Sequence, residues 1–365
     1  MPLKLESSPA RGSLTRRIAV TLAALFVYRL GAAIPLPGLD AKALADQAAA
    51  GTLLPLARLS LMALGIAPLL FTIVLAELAM IAWPKLRVWF RQGARGRDLW
   101  TWLILCALLM AAFQANGIAI ALEAVSSRLV PEPGLAFRAG VVGSLVAATA
   151  VLIWLATLIT RHGLGFGIWI LVAVPHVMDL VPAVWVQASR EPERALAGLV
   201  ALGYLALTIA VLVALTRCQP KLAESEEAAW APLLGVEAIN LLLMAVLVMS
   251  WLFSTDPHAA LPDFLFSETG LSVVLLVSLM LVVLLRRRSL MQADPAFPIQ
   301  SSAVPLALAL GGLAVVRAVA EQVVAQPLFP TSGTVFILAA VGLMIVDELE
   351  RSKREMAAET PPHSK

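Results

Sequence analysis

SLMALGIAPLLFTIVLAELAMIAW, residues 60–83, is a stretch long and apolar enough to cross a lipid bilayer. About 20 helical residues, each rising about 1.5 Å, match a hydrocarbon core about 30 Å thick. The stretch also contains Gly65, Pro68 and one carboxylate, Glu77. A helix that only anchors a protein needs none of these three residues, so this segment is predicted to do more than anchor.

The composition of the whole chain indicates a membrane protein. Apolar residues make up 60% of the 365 residues and charged residues 14%, against about 45–50% and 25% in soluble domains. Apolar runs of about 17–25 residues are counted here as segments one to ten, near residues 17–36, 61–83, 99–122, 139–160, 165–183, 195–216, 231–253, 270–285, 303–326 and 332–347. Lipid offers backbone groups no partners, and the runs lack the alternation of a barrel. The sequence therefore predicts an all-α polytopic membrane protein with about ten transmembrane helices.

Basic residues collect at the two ends of the chain and in its even-numbered connections, as in KLRVWFRQGARGRD at 85–98 and RRR at 286–288. Because basic loops stay in the cytoplasm, both termini are predicted to be cytoplasmic. This asymmetry explains the net charge of +3, so no nucleic-acid partner is implied. The sharper interpretation is a cytoplasmic docking surface for a protein or an anionic lipid. Its residues would be Arg87, Arg91, Arg95, Arg97, Arg286, Arg287 and Arg288.

A charged stretch, REPERA at 190–195, divides the ten segments into two sets of five. The predicted halves are residues 1–190, with segments one to five, and 191–365, with segments six to ten and a cytoplasmic tail. An odd number of segments in each half gives the halves opposite orientations. That arrangement is typical of an inverted repeat with a functional path at its interface.

Polar residues within the apolar segments are expected to face protein, because they are costly in lipid. Gln114 and Asn116 lie near the end of segment three. In segment nine, Arg317 and Glu321 are four residues apart and would share one helical face, where they can neutralise each other.

No enzyme, cofactor or metal site is predicted. The sequence has no HExxH motif and no nucleophile with a base nearby. Its two cysteines, Cys106 inside segment three and Cys218 at the end of segment six, are too differently placed to suggest a disulfide or a metal site.

Four ordered motifs in the first half resemble the SecY family, the channel subunit of the bacterial protein translocase. YRLGAAIPLPGLD at 28–40 is similar to the family's YRLG-x-x-IP-x-PG-ID, and SLMALGIAPLL at 60–70 to its S-I-F-ALGIMPYI. RQGARGRD at 91–98, followed by FQANGIA, resembles its basic loop and third helix. WLATLITRHGLGFGIWI at 154–170 resembles its WLGE-x-ITE-x-GIGNGIS.

In the second half, SGTVFILAAVGLMIVDELE at 332–350 resembles the family's last helix. Two cytoplasmic loops are shorter than the family's, TRCQPKLAESEEAAW at 216–230 and RRRSLMQADPAFPIQ at 286–300. The family engages the ribosome and the SecA motor through these loops, so the shortening leaves coupling to either partner open. The resemblance implies small SecE-like and SecG-like subunits, client polypeptides and the bacterial inner membrane.

The resemblance also implies a pore with an aliphatic ring at its waist. The matching residues are Ile66, Leu70, Ile168, Val172, Met244 and Leu338. A plug would lie within residues 41–58. A lateral gate would include Glu77, Gln114 and Asn240. Glu77 replaces the family's usual glutamine, and its carboxyl is expected either to be protonated or to pair with a cation.

Three functions remain open at this point. The leading hypothesis is a channel that passes unfolded polypeptide across the membrane or releases it laterally. A secondary transporter of small solutes is favoured by the ten segments and by buried charges such as Glu77 and Glu237. A non-conducting scaffold derived from a translocase is the third.

Overall fold

The computed structural model describes residues 13–40, 42–43, 59–91, 95–125 and 129–189, and short helical stretches between residues 199 and 349. Among the described residues up to 189, six helices have defined bounds. They are α1 (Leu14–Ala33), α2 (Ala67–Ala82), α3 (Pro84–Arg91), α4 (Arg95–Val125), α5 (Leu135–His162) and α6 (Gly167–Ser189). Within the described residues the only extended pairing is a bridge between Pro35 and Ser60. The predicted all-α class is confirmed for this part of the chain.

Helix α1 has a clear start and a clear end. The Ser13 hydroxyl oxygen caps it by accepting from the backbone N–H of Arg16 at 3.4 Å. The helix ends at Ala33 because Ile34 takes an extended conformation, as is usual for a residue that precedes proline. The chain then enters the bridge at Pro35.

Segment two is predicted to be helical from residue 61, but α2 begins only at Ala67. Residues 61–66 form a turn instead. Gly65 has a φ of +57°, a left-handed conformation that glycine adopts without steric cost. Pro68 lies in the first helical turn, where its missing N–H costs nothing. The later start of α2 therefore follows from Gly65 and Pro68, the two residues that mark this stretch in the sequence.

Helices α4 and α5 pack against each other, and α5 also packs against α1. The buried face of α4 carries a stripe of small residues, Ala107, Ala111, Ala115 and Ala119, each with no exposed surface. Small residues let two helix backbones approach closely. The opposite face is bulky and exposed, with Leu109 at 72% and Phe113 at 77%.

Two of the described helices, over Asp98–Ala124 and Leu135–His162, are long and apolar enough to cross a membrane. Ala67–Ala82 and Gly167–Met178 are apolar but shorter. Beyond residue 199, every described residue is helical, at positions within predicted segments six, eight, nine and ten or just past their ends. Segment seven lies outside the described residues. The count of ten transmembrane helices stays a prediction.

The chain forms two compact units. The first unit comprises Leu3–Leu75 and Gln92–Val172, and the second comprises Met1–Pro2, Ala76–Arg91 and Ala173–Lys365. The chain passes between the units after residues 2, 75, 91 and 172, and the boundaries after 75 and 172 fall inside α2 and α6. The division into halves at residue 190 stays a prediction.

Candidate functional site

The start of α2 holds the first two predicted ring residues. The carbonyl of Ile66 accepts from the backbone N–H groups of Leu69 and Leu70 at 3.1 and 3.2 Å, so Ile66 caps the helix. Leu70 follows one turn later on the same face. Ile66 is 4% exposed and Leu70 is 5% exposed. Thr72, on the next turn, keeps its hydroxyl within the helix by donating to the carbonyl of Leu69 at 2.8 Å.

The start of α6 repeats this arrangement. The carbonyl of Phe166 accepts from the backbone N–H groups of Trp169 and Ile170 at 3.1 and 3.2 Å. Ile168 and Val172, again four residues apart, are buried. Every residue from 167 to 173 is buried, so the whole beginning of the helix is enclosed by protein.

The two pairs both lie at helix starts, but two residues apart in register: Ile66 directly precedes α2, whereas Ile168 is the second residue of α6. Each has an aliphatic side chain at the first residues of an apolar helix and a second one turn later, and all four lie in the first unit. Leu338 is helical and half-buried, and it lies in the second unit. Met244 lies outside the described residues. The assignment of all six residues to one ring stays a prediction.

A pair of backbone contacts ties together the two ends of the loop that would contain the plug. The N–H of Leu36 donates to the carbonyl of Leu59 at 2.9 Å, and the N–H of Leu61 donates to the carbonyl of Ile34 at 2.9 Å. The loop at 37–58 is thus closed at its base. Of the predicted plug at 41–58, the structure describes only Lys42 and Ala43, and both their N–H groups donate to the Asp40 carboxylate, at 2.7 and 3.0 Å.

The base of this loop packs into an apolar cluster with the facing ends of α4 and α5. Its buried members are Leu36, Leu59, Ala115, Ala119, Leu122, Leu129, Val130, Phe137, Val141 and Leu145. The backbone N–H of Asp40 also donates to the carbonyl of Leu129 at 3.0 Å. Gly38, with a φ of +82°, lies so close to the Phe137 ring that a Cβ there would be 2.7 Å from it. The cluster and this contact hold the loop base in place.

An ion pair closes the connection between α4 and α5. The Glu123 carboxylate accepts two hydrogen bonds from the guanidinium of Arg138, at 2.9 and 2.6 Å, and one from the backbone N–H of Gly134, at 2.8 Å. Sequence analysis missed this pair. The available signal was that Glu123 and Arg138, among the four charged residues at 123–138, are the two that directly adjoin the ends of segments three and four.

The predicted gate residues have different surroundings. Glu77 is 7% exposed, as expected for a carboxyl at membrane depth that needs protein around it. Gln114 is half-buried, on the flank of the α4 alanine stripe. Asn116 is exposed, so the expectation that it faces protein is wrong: it lies about one turn from exposed Phe113 on the bulky face. Asn240 lies outside the described residues.

The predicted basic surface is partly described. Arg87 and Arg91 belong to α3, a short helix where the sequence predicts a connection, and Arg95 and Arg97 belong to the first turn of α4. Trp83 and Trp89 are exposed beside them in sequence, at 66% and 47%. Arg288 is helical and exposed, whereas Arg286 and Arg287 lie outside the described residues. The docking role of these residues stays a prediction.

The described part of the chain is helical, and two of its helices have the length and composition that crossing a bilayer requires. The sequence profile of the SecY family matches residues 60–285. Because that range is more than half of the chain, the chain belongs to the SecY family.

Several curated proteins are similar to it. Protein translocase subunit SecY of Buchnera aphidicola subsp. Acyrthosiphon kondoi is 36% identical over 187 residues, which are 47% of this chain and 52% of that protein. SecY of Escherichia coli K12 is 35% identical over 187 residues, 47% of this chain and 42% of that protein. SecY of Haemophilus influenzae is 33% identical over 218 residues, 56% of this chain and 49% of that protein. The matches thus span about half the length of these relatives.

Solved structures share the fold. A SecY structure, from work on the plug domain and the closed state of the translocation channel, superposes with a TM-score of 0.57 at 11% identity and covers 96% of this chain and 95% of that chain. Sec61 in a canine ribosome-channel complex from the endoplasmic reticulum superposes with a TM-score of 0.55 at 12% identity, over 96% of this chain and 95% of that chain. At these identities the similarity concerns the fold alone.

Proposed function

We propose that this protein is the channel-forming subunit of a translocase that passes unfolded polypeptide across the bacterial inner membrane or releases it laterally into the lipid. The observation that carries the proposal is the presence of two enclosed aliphatic pairs at helix starts in a SecY-family chain, Ile66 with Leu70 and Ile168 with Val172. All four side chains are aliphatic and enclosed. The transporter alternative has no comparable support.

Aliphatic side chains suit the waist of such a channel for a physical reason. A narrow hydrocarbon constriction loses its water and so blocks ions. The same side chains carry no fixed charge or directional hydrogen bond, so they can deform around an extended polypeptide of any sequence. The proposed ring consists of these four residues together with Met244 and Leu338.

The proposed plug, residues 41–58, is supported by the closed base of its loop. The contacts at Leu36, Leu59 and Leu61 fix both ends of this loop at one place. A plug must stay attached while its tip moves, and a base held by backbone hydrogen bonds and an apolar cluster provides that attachment.

The proposed lateral gate involves α2 and α4 through Glu77 and Gln114, together with Asn240. The burial of Glu77 supports a role inside the protein and not on a lipid-facing surface. A carboxyl group in place of glutamine would make this gate ionisable, in contrast to the family's usual residue.

The proposed partners are SecE-like and SecG-like membrane subunits and a client polypeptide. Both termini are proposed to be cytoplasmic, and the arginines of α3 and the start of α4 would lie on that side. We propose no binding of the ribosome or of SecA. The family binds both through two cytoplasmic loops, and the corresponding loops here, residues 216–230 and 286–300, are shorter.

The experiment that tests this function uses the purified full chain with SecE-like and SecG-like subunits in liposomes. A radiolabelled unfolded secretory polypeptide is added outside, and protection from external protease is measured. We expect protected polypeptide only in vesicles that contain the chain. Saturable uptake of a small solute driven by a proton gradient, without protected polypeptide, would contradict the proposal.

A further inference from the structure

The turn between α5 and α6, residues 163–166, is held by a side chain from a distant part of the sequence. The hydroxyl oxygen of Thr21 in α1 accepts from the backbone N–H of Leu164 at 2.9 Å, across 143 residues. The same hydroxyl donates to the carbonyl of Arg17 at 3.1 Å. A threonine hydroxyl is both donor and acceptor, so Thr21 uses both capacities. Its residue is buried, with 7% exposed.

A second threonine holds the other end of the turn in the same way. The hydroxyl of Thr160 in α5 donates to the carbonyl of Ala156 at 2.8 Å and accepts from the backbone N–H of Gly167 at 2.9 Å. Gly167 also lies directly against the carbonyl of Ala156, with no room for a side chain. One backbone N–H in the turn and one at the first residue of α6 therefore have hydroxyl partners on two different helices.

Arg17 adds a third attachment. Its Nε donates to the carbonyl of Gly163 at 3.0 Å, one of the carbonyls that a helix C-terminus leaves without an internal partner. Gly163 also approaches α1 closely, since a Cβ at this residue would lie 2.6 Å from the Thr21 hydroxyl oxygen. Arg17 and Thr21, one helical turn apart in α1, thus form hydrogen bonds with two successive residues of the connection, Gly163 and Leu164.

These hydrogen bonds lie next to the proposed constriction in the sequence. Leu164 is four residues before Ile168, and α6 begins directly after residues 163–166. A shift of the turn would therefore move Ile168 and Val172 together. All of these residues lie in the first unit.

We propose that Thr21, with Arg17, is a positioning residue that fixes the start of α6 and thereby the place of Ile168 in the constriction. The inference concerns the place of α6 itself, and it rests on the proposed channel function only where it concerns ion leakage. Thr21 does not touch the client in this account. It acts through the turn.

The experiment measures the exposure of position 168 to a thiol reagent. Both native cysteines are replaced by serine, and Ile168→Cys is introduced in the full chain in liposomes. Because residue 168 is buried, its labelling rate follows the population of locally open states. We expect Thr21→Val to raise this rate by about two- to tenfold, the factor that corresponds to the lost hydrogen bond from the N–H of Leu164. Thr21→Ser, which keeps the hydroxyl, should restore the wild-type rate.

Matched controls separate positioning from general weakening. Thr149 is also buried, and its hydroxyl donates within α5 to the carbonyl of Leu145 at 2.9 Å, so Thr149→Val should leave labelling at 168 unchanged. Labelling of Leu145→Cys should stay unchanged in the Thr21→Val protein. Should Thr21→Val fail to fold, Arg17→Gln takes its place, with Arg16→Gln as the control that removes the same charge from an exposed neighbour.

Ion leakage through the same vesicles is the second readout. Raised labelling together with raised leakage supports both the positioning role and the channel. Raised labelling without raised leakage supports the positioning role and counts against the channel. Unchanged labelling at 168 in Thr21→Val, equal effects of Thr149→Val, or equal effects of Arg16→Gln and Arg17→Gln would overturn the inference.

Discussion

The carboxylate of Glu123 and the guanidinium of Arg138 join the facing ends of α4 and α5, with two hydrogen bonds at 2.9 and 2.6 Å. The Glu123 side chain is 10% exposed and the Arg138 side chain 41%. Since the same carboxylate also holds the N–H of Gly134, the pair fixes the connection as well as the two helices.

Replacing Glu123 by glutamine should therefore weaken the junction of α4 and α5. We expect the thermal unfolding midpoint to fall by about 2–4 °C, because a charge-assisted pair becomes a weaker neutral contact. In an Arg138→Gln background the same change should have a smaller effect. Glu132→Gln is the control, since Glu132 is an exposed carboxylate in the same connection. An equal fall for both glutamate variants would contradict this role.

The apolar cluster predicts a large difference between two leucines of similar position in the sequence. Leu129 is 1% exposed and belongs to the cluster, whereas Leu135 is 84% exposed. Leu129→Ala should lower the free energy of unfolding by about 2–5 kcal/mol, the usual cost of a buried leucine truncation. Leu135→Ala should change it little. Denaturant titrations of the two variants check this expectation, and similar losses would mean that the cluster does not hold the loop base.

The alanine stripe of α4 predicts that volume is not tolerated there. Ala111 has no exposed surface, and a leucine in its place would push α4 away from the residues packed against its buried face, at a cost of about 1–3 kcal/mol. Ala121, which is exposed on the same helix, provides the control. If Ala111→Leu and Ala121→Leu unfolded at the same temperature, close packing along this stripe would be refuted.

Two helical glycines should respond in opposite ways to alanine. At Gly167 a Cβ would collide with the carbonyl of Ala156, a backbone atom that cannot move aside, whereas at Gly143 it would meet nothing within 4 Å. Gly167→Ala should therefore destabilise the protein, and Gly143→Ala should stabilise it by about 0.4–1 kcal/mol. Unfolding midpoints decide between this pattern and a uniform response.

The long helices could be predicted from the sequence because their apolar runs are continuous. Segment three is predicted at 99–122 and observed as Arg95–Val125, and segment four is predicted at 139–160 and observed as Leu135–His162. Helix α3 could not be predicted in this way. Its eight residues mix basic and aromatic side chains, so no apolar run marks them.

Contacts between distant parts of the chain could not be predicted from the sequence, for a different reason. Thr21 and Leu164 are 143 residues apart, and a threonine within an apolar helix carries no sign of its partner. The bridge between Pro35 and Ser60 is equally hard to predict, since neither residue type favours a strand. By contrast, Gly65 and Pro68 are conspicuous in an apolar segment. In the structure Gly65 lies in the turn at 61–66 and Pro68 in the first turn of α2, next to the proposed ring residues Ile66 and Leu70.

Crosslinking from the proposed ring tests the central claim most directly. A photoreactive residue is placed at Ile66 or at Leu338 in the full chain with its partner subunits, and a secretory polypeptide is stalled during transport. The control positions are Leu109 and Phe113, which are exposed on the bulky face of α4. The account predicts crosslinks to the polypeptide from both ring positions and background levels from both controls. Background levels at Ile66 and Leu338 would contradict it.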